Sequence, residues 1–268
     1  MKSLLVVTGA SQGLGQCIAK QFIRSEINDF ETKIRAVLLS RSIEGLYETE
    51  SLMKEKAITC DKLSLDVSCH SIDLSDLETL EENYVRIFKD LDDTDFDKVI
   101  LINNAASVGC IGPLSSLSLK DMKENVDFNI TSSLWITTHF CKLFEFMVNT
   151  KVTIVNISSL CALEPFPSMG LYCTGKAARN MFHQVMEQEF INKVNVKILN
   201  YAPGVLNTQM TKEIIHADQI DPNIHAYYKK AEKEGTFVKL DDTATKLVDL
   251  ILSNNFQSGS HIDYWDEL

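Results

Sequence analysis

The chain has 268 residues, 45% of them hydrophobic, which is enough for one large domain with a sizeable core and excludes wholesale disorder. Its 37 acidic against 26 basic residues give a net charge of -11, so nucleic acid and anionic membrane surfaces are not expected as partners. No apolar run approaches the ~20 residues that span a bilayer, and the opening run ends at Gly9, too short for a signal-peptide core; seven cysteines with no C-x-x-C pair or zinc spacing read as reduced thiols of a cytoplasmic protein without a metal site.

In chain order, apolar β-branched runs at 4–8, 34–40, 62–66, 99–103, 152–158 and 194–201 alternate with helically spaced stretches. Those stretches are 15–25, 43–55, 76–89, 119–149, 172–192, 209–216 and 241–253, and a last short strand falls at 261–264. The alternation predicts stacked strand–helix–strand units, hence a single α/β domain over 1–268, doubly wound, with a parallel sheet of about seven strands and helices on both faces. The strand runs are nearly unbroken in apolar residues, as burial on two faces demands. Ser75 and Ser118 stand as N-caps before acidic first turns. Pro113, Pro165, Pro167 and Pro203 follow predicted strands, so the irregular loops lie at the carboxyl edge of the sheet, where an open parallel sheet takes its ligands. Segment 209–236 is polar, charged and weakly periodic; a flap over the site and an ordinary exposed helix with loop fit it equally.

The first strand runs into Gly9-Ala10-Ser11-Gln12-Gly13-Leu14-Gly15. Three glycines at a strand-to-helix junction let the backbone turn tightly and bring helix N-terminal N–H groups to a pyrophosphate. At the end of the second strand, where an acidic residue would hold a ribose 2′-hydroxyl, the chain reads Ser40-Arg41-Ser42. With no carboxylate to repel a 2′-phosphate and an arginine to bind one, NADPH/NADP+ is the expected cofactor. Asp66, ending the predicted third strand beside Val67, can reach an adenine amino group or simply cap the next turn.

Tyr172 and Lys176, four apart at the start of a predicted helix, share a face. A phenol is a poor acid at neutral pH, and an adjacent ammonium is expected to lower its pKa. Ser159, just past the fifth strand, can hold a carbonyl oxygen beside that phenol, the pairing that hydride reduction of a ketone requires. Asn103-Asn104-Ala105 closes the fourth strand, and Asn129 sits inside a predicted helix, where asparagine is disfavoured; it can bridge to Lys176 through water.

These residues, with Pro203-Gly204, resemble the short-chain dehydrogenase/reductase family in order and spacing across essentially the full chain. One departure is Ala106, where the family usually has glycine. Stretches 156–166, 172–179 and 200–204 and the tail His261-Ile262-Asp263-Tyr264 resemble the pterin-reducing members of that family. The resemblance implies a Rossmann-type fold and a catalytic set of Ser159, Tyr172, Lys176 and Asn129. It implies cofactor contacts at Gly9, Ala10, Ser11, Gln12, Gly13, Leu14, Gly15, Ser40, Arg41, Asp66, Val67, Asn103, Ala105, Tyr172, Lys176, Leu206, Asn207, Thr208, Gln209, Met210 and Thr211. For a small-molecule pterin substrate it implies Ser159, Leu160, Tyr172, Gly204 and Asp263, the last accepting the guanidine-like edge of the ring in bidentate fashion. Phe166, Met169, Met210 and Trp265 are candidates for the ring face. It also implies a homodimer through the two long helices. A broad diketone or quinone reductase keeps the same chemistry without the pterin; a non-catalytic NADPH-binding regulator would not need the complete Ser159, Tyr172 and Lys176 set.

Overall fold

Leu4, Leu5, Val6 and Val7 are all fully buried, with Leu5 and Val7 packed on one side of the sheet and Leu4 and Val6 on the other. That is the two-sided burial of a central parallel strand. The computed structural model describes residues 1–25, 32–59, 62–89, 91, 95–144, 147–193 and 195–267. Its strands are β1 Lys2–Thr8, β2 Thr32–Ser40, β3 Leu63–Ser71, β4 Lys98–Asn103, β5 Lys151–Ile157, β6 Val196–Ala202 and β7 His261–Asp263. They pair in the order β3-β2-β1-β4-β5-β6-β7, every neighbour parallel. The order reverses between β1 and β4, which opens a crevice beyond their carboxyl ends.

Helices α1 Gly13–Ser25, α2 Ile43–Ile58 and α9 Leu240–Ser253 cover one face, with Ile18, Phe22, Met53, Leu247 and Ile251 buried. On the other lie α3 Leu77–Phe88, α5 Ser133–Phe144 and α6 Gly170–Phe190, burying Tyr84, Phe88, Phe140, Phe144 and Met186. Each such large side chain contributes about 1.5–3 kcal/mol on burial. A third cluster sits above the carboxyl edge: Val108, Cys161, Met169, Ile214, Ile215 and Tyr228. Among the described residues no helix is long and apolar enough to cross a membrane.

Three expectations need correction. The helix read over 119–149 is not uniform: α4 Leu119–Asn125 opens with the Ser118 capping box, a π turn follows over Val126–Ser132, and α5 comes after it. Residues 145–146 and Val194, included in the sequence-read helix and strand, lie outside the described residues. Ser75 does not cap α3; Asp76 takes the N-cap place, and the Ser75 hydroxyl donates to Asp73 Oδ1 at 2.7 Å. Segment 209–236 forms α7 Gln209–Ile215 and α8 Pro222–Glu234. Asp221 caps α8 by accepting from the N–H groups of Asn223 and Ile224, Pro222 stands in its first turn, and Gly235 ends it at φ +65°. Both helices bury apolar residues in the third cluster, so the segment is more than an ordinary exposed helix and loop.

Candidate active site

The glycine turn leaves β1 at the switch point. Gly9 and Gly13 adopt positive φ of 67° and 59°. A Cβ at Gly9 would come within 2.9 Å of Asn104 Nδ2, and one at Gly15 would collide with the Gly9 carbonyl oxygen. Only glycine therefore lets α1 start this close to the strand end. Asn104 holds the turn from the β4 side: its Nδ2 donates to the carbonyls of Thr8 and Gly9 at 3.0 and 3.1 Å. The Thr8 hydroxyl in turn accepts from the N–H groups of Asn104 and Ala105, both at 3.0 Å. Asn104 is the member of Asn103-Asn104-Ala105 that touches the turn, whereas the Asn103 side chain faces away and donates to Thr137 Oγ1 at 2.5 Å.

Ser11 and Ser40 hydroxyls bond each other at 2.7 Å, tying the turn to the end of β2, beside the exposed Arg41. Thr208, which caps α7, comes 3.8 Å from where a Gly13 Cβ would stand, and Leu206 pairs with Val238 behind it. The segment 206–211 thus closes over the turn. A bare backbone cradle beneath a helix N-terminus, flanked by hydroxyls and an arginine, has the donor set that a dinucleotide phosphate needs.

The third strand overturns one expectation. It runs to Ser71, whose partner is Ser40, so Asp66 lies mid-strand opposite Arg35, its side chain 75% exposed and 3.9 Å from the Arg35 guanidinium. Asp66 and Val67 are therefore five and four residues short of the carboxyl edge, too far down the strand for cofactor contacts. Asp73 occupies the edge instead, followed by the buried Leu74 and anchored by the Ile72 N–H bonded to Ser40 O at 2.9 Å. Partial burial raises its carboxyl, but hydrogen bonds from Ser75 and the Arg41 charge bring it below the usual range.

Ser159 follows β5 in extended conformation and caps a short turn, Leu160–Ala162, accepting from Cys161 N–H at 3.2 Å. Tyr172 and Lys176 project from the first turns of α6. Lys176 is 4% exposed; its Nζ donates to Ile157 O at 2.6 Å and stands 5.5 Å from the Tyr172 ring centroid. Since Ile157 ends β5 two residues before Ser159, the three groups share one edge.

Electrostatics correct a second expectation. Burial raises the Tyr172 phenol well above its ordinary value in place of the expected lowering, and the Ser159 hydroxyl and the Arg179 charge oppose this only in part. Burial, reinforced by Arg179, pushes Lys176 itself well below the usual lysine range. The site as folded favours a neutral phenol, the form that donates a proton.

Arg179, which the motif reading left without a role, is 1% exposed. It donates to Asn156 Oδ1 at 2.8 Å, Ala105 O at 3.0 Å and Asn103 O at 2.6 Å, clamping the ends of β4 and β5 together. Burial lowers its guanidinium to about 10. Its spacing from Tyr172 and Lys176, seven and three residues, is the signal on one helix face. Asn129 lies in the π turn, 3% exposed, with its amide committed to Ser107: Oδ1 accepts Ser107 N–H and Nδ2 donates to Ser107 O, both at 2.9 Å. Gly175 allows this approach, since its Cβ would stand 3.2 Å from Asn129 Cβ.

Phe166, Met169 and Met210 gather with Tyr172 in the third cluster, but Trp265 is 70% exposed and packs against Tyr264. Leu160 is exposed, and Gly204 adopts φ +77° against Val238. Asp263 ends β7, its Oδ1 accepting Trp265 N–H at 3.0 Å. Among the described residues no group of three or more His, Cys, Asp or Glu could hold a metal ion.

Comparison with known proteins gives the family of the chain. The family model described as short chain dehydrogenase matches residues 3–219. Sepiapterin reductase of Rattus norvegicus is 33% identical over 268 residues, covering 98% of this chain and 97% of that protein. A benzil reductase ((S)-benzoin forming) of Bacillus cereus is 29% identical over 260 residues, covering 96% and 97%. The solved 3-oxoacyl-(acyl-carrier protein) reductase of Brucella melitensis in complex with NAD superposes with a TM-score of 0.73 at 19% identity, covering 98% and 96%. The chain is an oxidoreductase belonging to the short-chain dehydrogenase family.

Proposed function

We propose that residues 1–268 form one NADPH-dependent carbonyl reductase domain acting on the side-chain ketone of a reduced pterin, completing tetrahydrobiopterin formation from a pyruvoyl precursor and accepting sepiapterin. The observation that carries this reading is the convergence of Ser159, Tyr172 and Lys176 at the sheet edge that also bears the glycine turn. Kinship with sepiapterin reductase supports the substrate class, and the Ser40-Arg41 pair without a carboxylate supports NADPH.

When bound, the reduced nicotinamide supplies hydride. Tyr172 donates its proton to the ketone oxygen, Ser159 holds that oxygen, and Lys176, fixed on Ile157 O, lies beside the phenol ready to take part in its reprotonation. With the Asn129 amide committed to Ser107, any relay from solvent falls to the main chain of the π turn. Asp263 is level with Ala202, and Tyr201 with Ile157, so Asp263 stands beside Ser158 two strands across, about 10 Å away at ordinary strand spacing. A bicyclic pterin with its side chain fits that span, ring edge on Asp263 and ketone on Ser159.

Asp263→Ala is expected to weaken turnover of sepiapterin selectively while sparing a small diketone, read as NADPH oxidation at equal substrate concentrations. Equal losses on both substrates would remove Asp263 from the site. The second reading, a diketone reductase without a pterin role, has the benzil reductase kinship in its favour; a wild-type enzyme that turns over benzil and ignores sepiapterin would establish it. We also infer a homodimer in the cytoplasm. Met122 and Val126 on one rod and Met181 and Val185 on α6 are exposed apolar pairs four residues apart, suited to a second copy.

A further inference from the structure

Two thiols lie within a few residues of both reacting hydroxyls and have no part in the reduction. Cys161 belongs to the short turn after Ser159 and Cys173 follows Tyr172 in α6; that turn packs directly on α6, and both cysteines sit in the third apolar cluster. Cys161 is buried, 5% exposed, whereas Cys173 is half-buried, its N–H bonded to Met169 O at 2.9 Å. The two thiols interact electrostatically, as does the Ser159 hydroxyl with Cys161.

We propose that Cys161 and Cys173 form a redox-active dithiol, which a hydroperoxide converts into a disulfide that closes down the adjoining site. Their environments divide the roles. Cys173, half-buried, is the sulfur that a hydroperoxide can reach, and its interaction with the buried Cys161 lowers its thiol below the ordinary range against the cost of burial. The same interaction and burial push Cys161 far up, leaving it a thiol. Cys173 thiolate attacks the terminal oxygen of the hydroperoxide; the O–O bond breaks, an alcohol (or water) leaves with a proton, and Cys173 becomes a sulfenic acid. The Cys161 sulfur then attacks the Cys173 sulfur; the S–S bond forms, the S–O bond breaks, and water departs carrying the Cys161 proton. Overall two thiols are oxidised by two electrons and the hydroperoxide is reduced to alcohol and water. A bond anchored one residue from Tyr172 and two from Ser159 displaces both hydroxyls.

Dithiol formation stands on its own, and only its effect on turnover rests on the reductase reading. The full chain would be treated with hydrogen peroxide, blocked with an alkylating reagent and mapped without reduction, with NADPH oxidation followed in parallel on a diketone before and after dithiothreitol. The expected result is a Cys161–Cys173 cross-linked peptide, loss of most turnover, and recovery on reduction. Cys173→Ser and Cys161→Ala, each compared with its own untreated rate, should resist the oxidant. Separately alkylated Cys161 and Cys173 in the oxidised wild type, or pairing with Cys110 instead, would overturn the proposal, as would a cross-linked enzyme at full turnover. If no carbonyl is reduced at all, the map still decides the dithiol, and the reductase reading is what fails.

Discussion

Lys176 spends one of its three N–H donors on the carbonyl oxygen of Ile157, 2.6 Å away in a buried setting. This fixes the lysine to the strand that delivers Ser159, so the relative positions of the reacting groups are set by the sheet and not by solvent-exposed side chains.

The phenol is the sole proton donor assigned to the ketone, so Tyr172→Phe should lower kcat by about a thousandfold or more. The dissociation constant for NADPH, read by fluorescence titration, should stay within about twofold, because uniform binding is not what the hydroxyl provides. A near-normal kcat would refute the assignment.

Arg41 is the exposed cation at the end of β2, where the ribose 2′-phosphate of NADPH would lie. Arg41→Ala should weaken NADPH binding by about 10- to 100-fold, the size of one or two charge-assisted hydrogen bonds, and leave NADH binding unchanged. Equal losses for the two cofactors would show that Arg41 acts on the fold instead.

Arg179→Met keeps much of the side-chain volume but leaves two main-chain carbonyls and the Asn156 amide oxygen without their donor. Urea unfolding should show a loss of about 3 kcal/mol or more. A neutral outcome would mean that water replaces the guanidinium between β4 and β5.

His183 is fully buried, with Nδ1 bonded to Arg179 O at 2.7 Å and Nε2 without a partner. Burial lowers it from 6.5 to about 4. Below the unfolded value the unfolded chain binds the extra proton, so stability is lost as pH falls from 6.5 towards 4 and is intact above that window. Between about pH 7 and pH 5 the loss from this residue should be about 2 kcal/mol. His183→Gln should flatten the pH dependence of urea unfolding over that range; an unchanged slope would assign it to other groups such as His70 and His261, also lowered by burial.

Local signals were legible in the sequence because their physics is local. The glycines of 9–15 answer to backbone crowding within one turn, and Tyr172 and Lys176 are brought together by helical pitch alone. The edge strand hid Asp73: β3 is covered by neighbouring strands on one side only, so polar Ser64, Asp66, Ser68 and His70 alternate along it, and its apolar run looks finished at Asp66. In α8 the brackets Asp221-Pro222 and Gly235 were readable, but Tyr228 and Ala231 are its buried residues, a stripe too thin for periodicity to show. The clamp of Arg179 joins residues more than seventy positions apart, and no spacing rule encodes such a contact.

The π turn at Val126–Ser132 works as a phase shifter. One residue more than an α turn needs is taken up there, so the downstream rod enters rotated by roughly 100° about its axis relative to an unbroken helix. That azimuth lets Phe140 and Phe144 meet the sheet while Asn129 still reaches Ser107. One continuous rod thereby serves two separate masters, the packing of the interior and the architecture of the cleft, with the offset between them written into a single surplus residue.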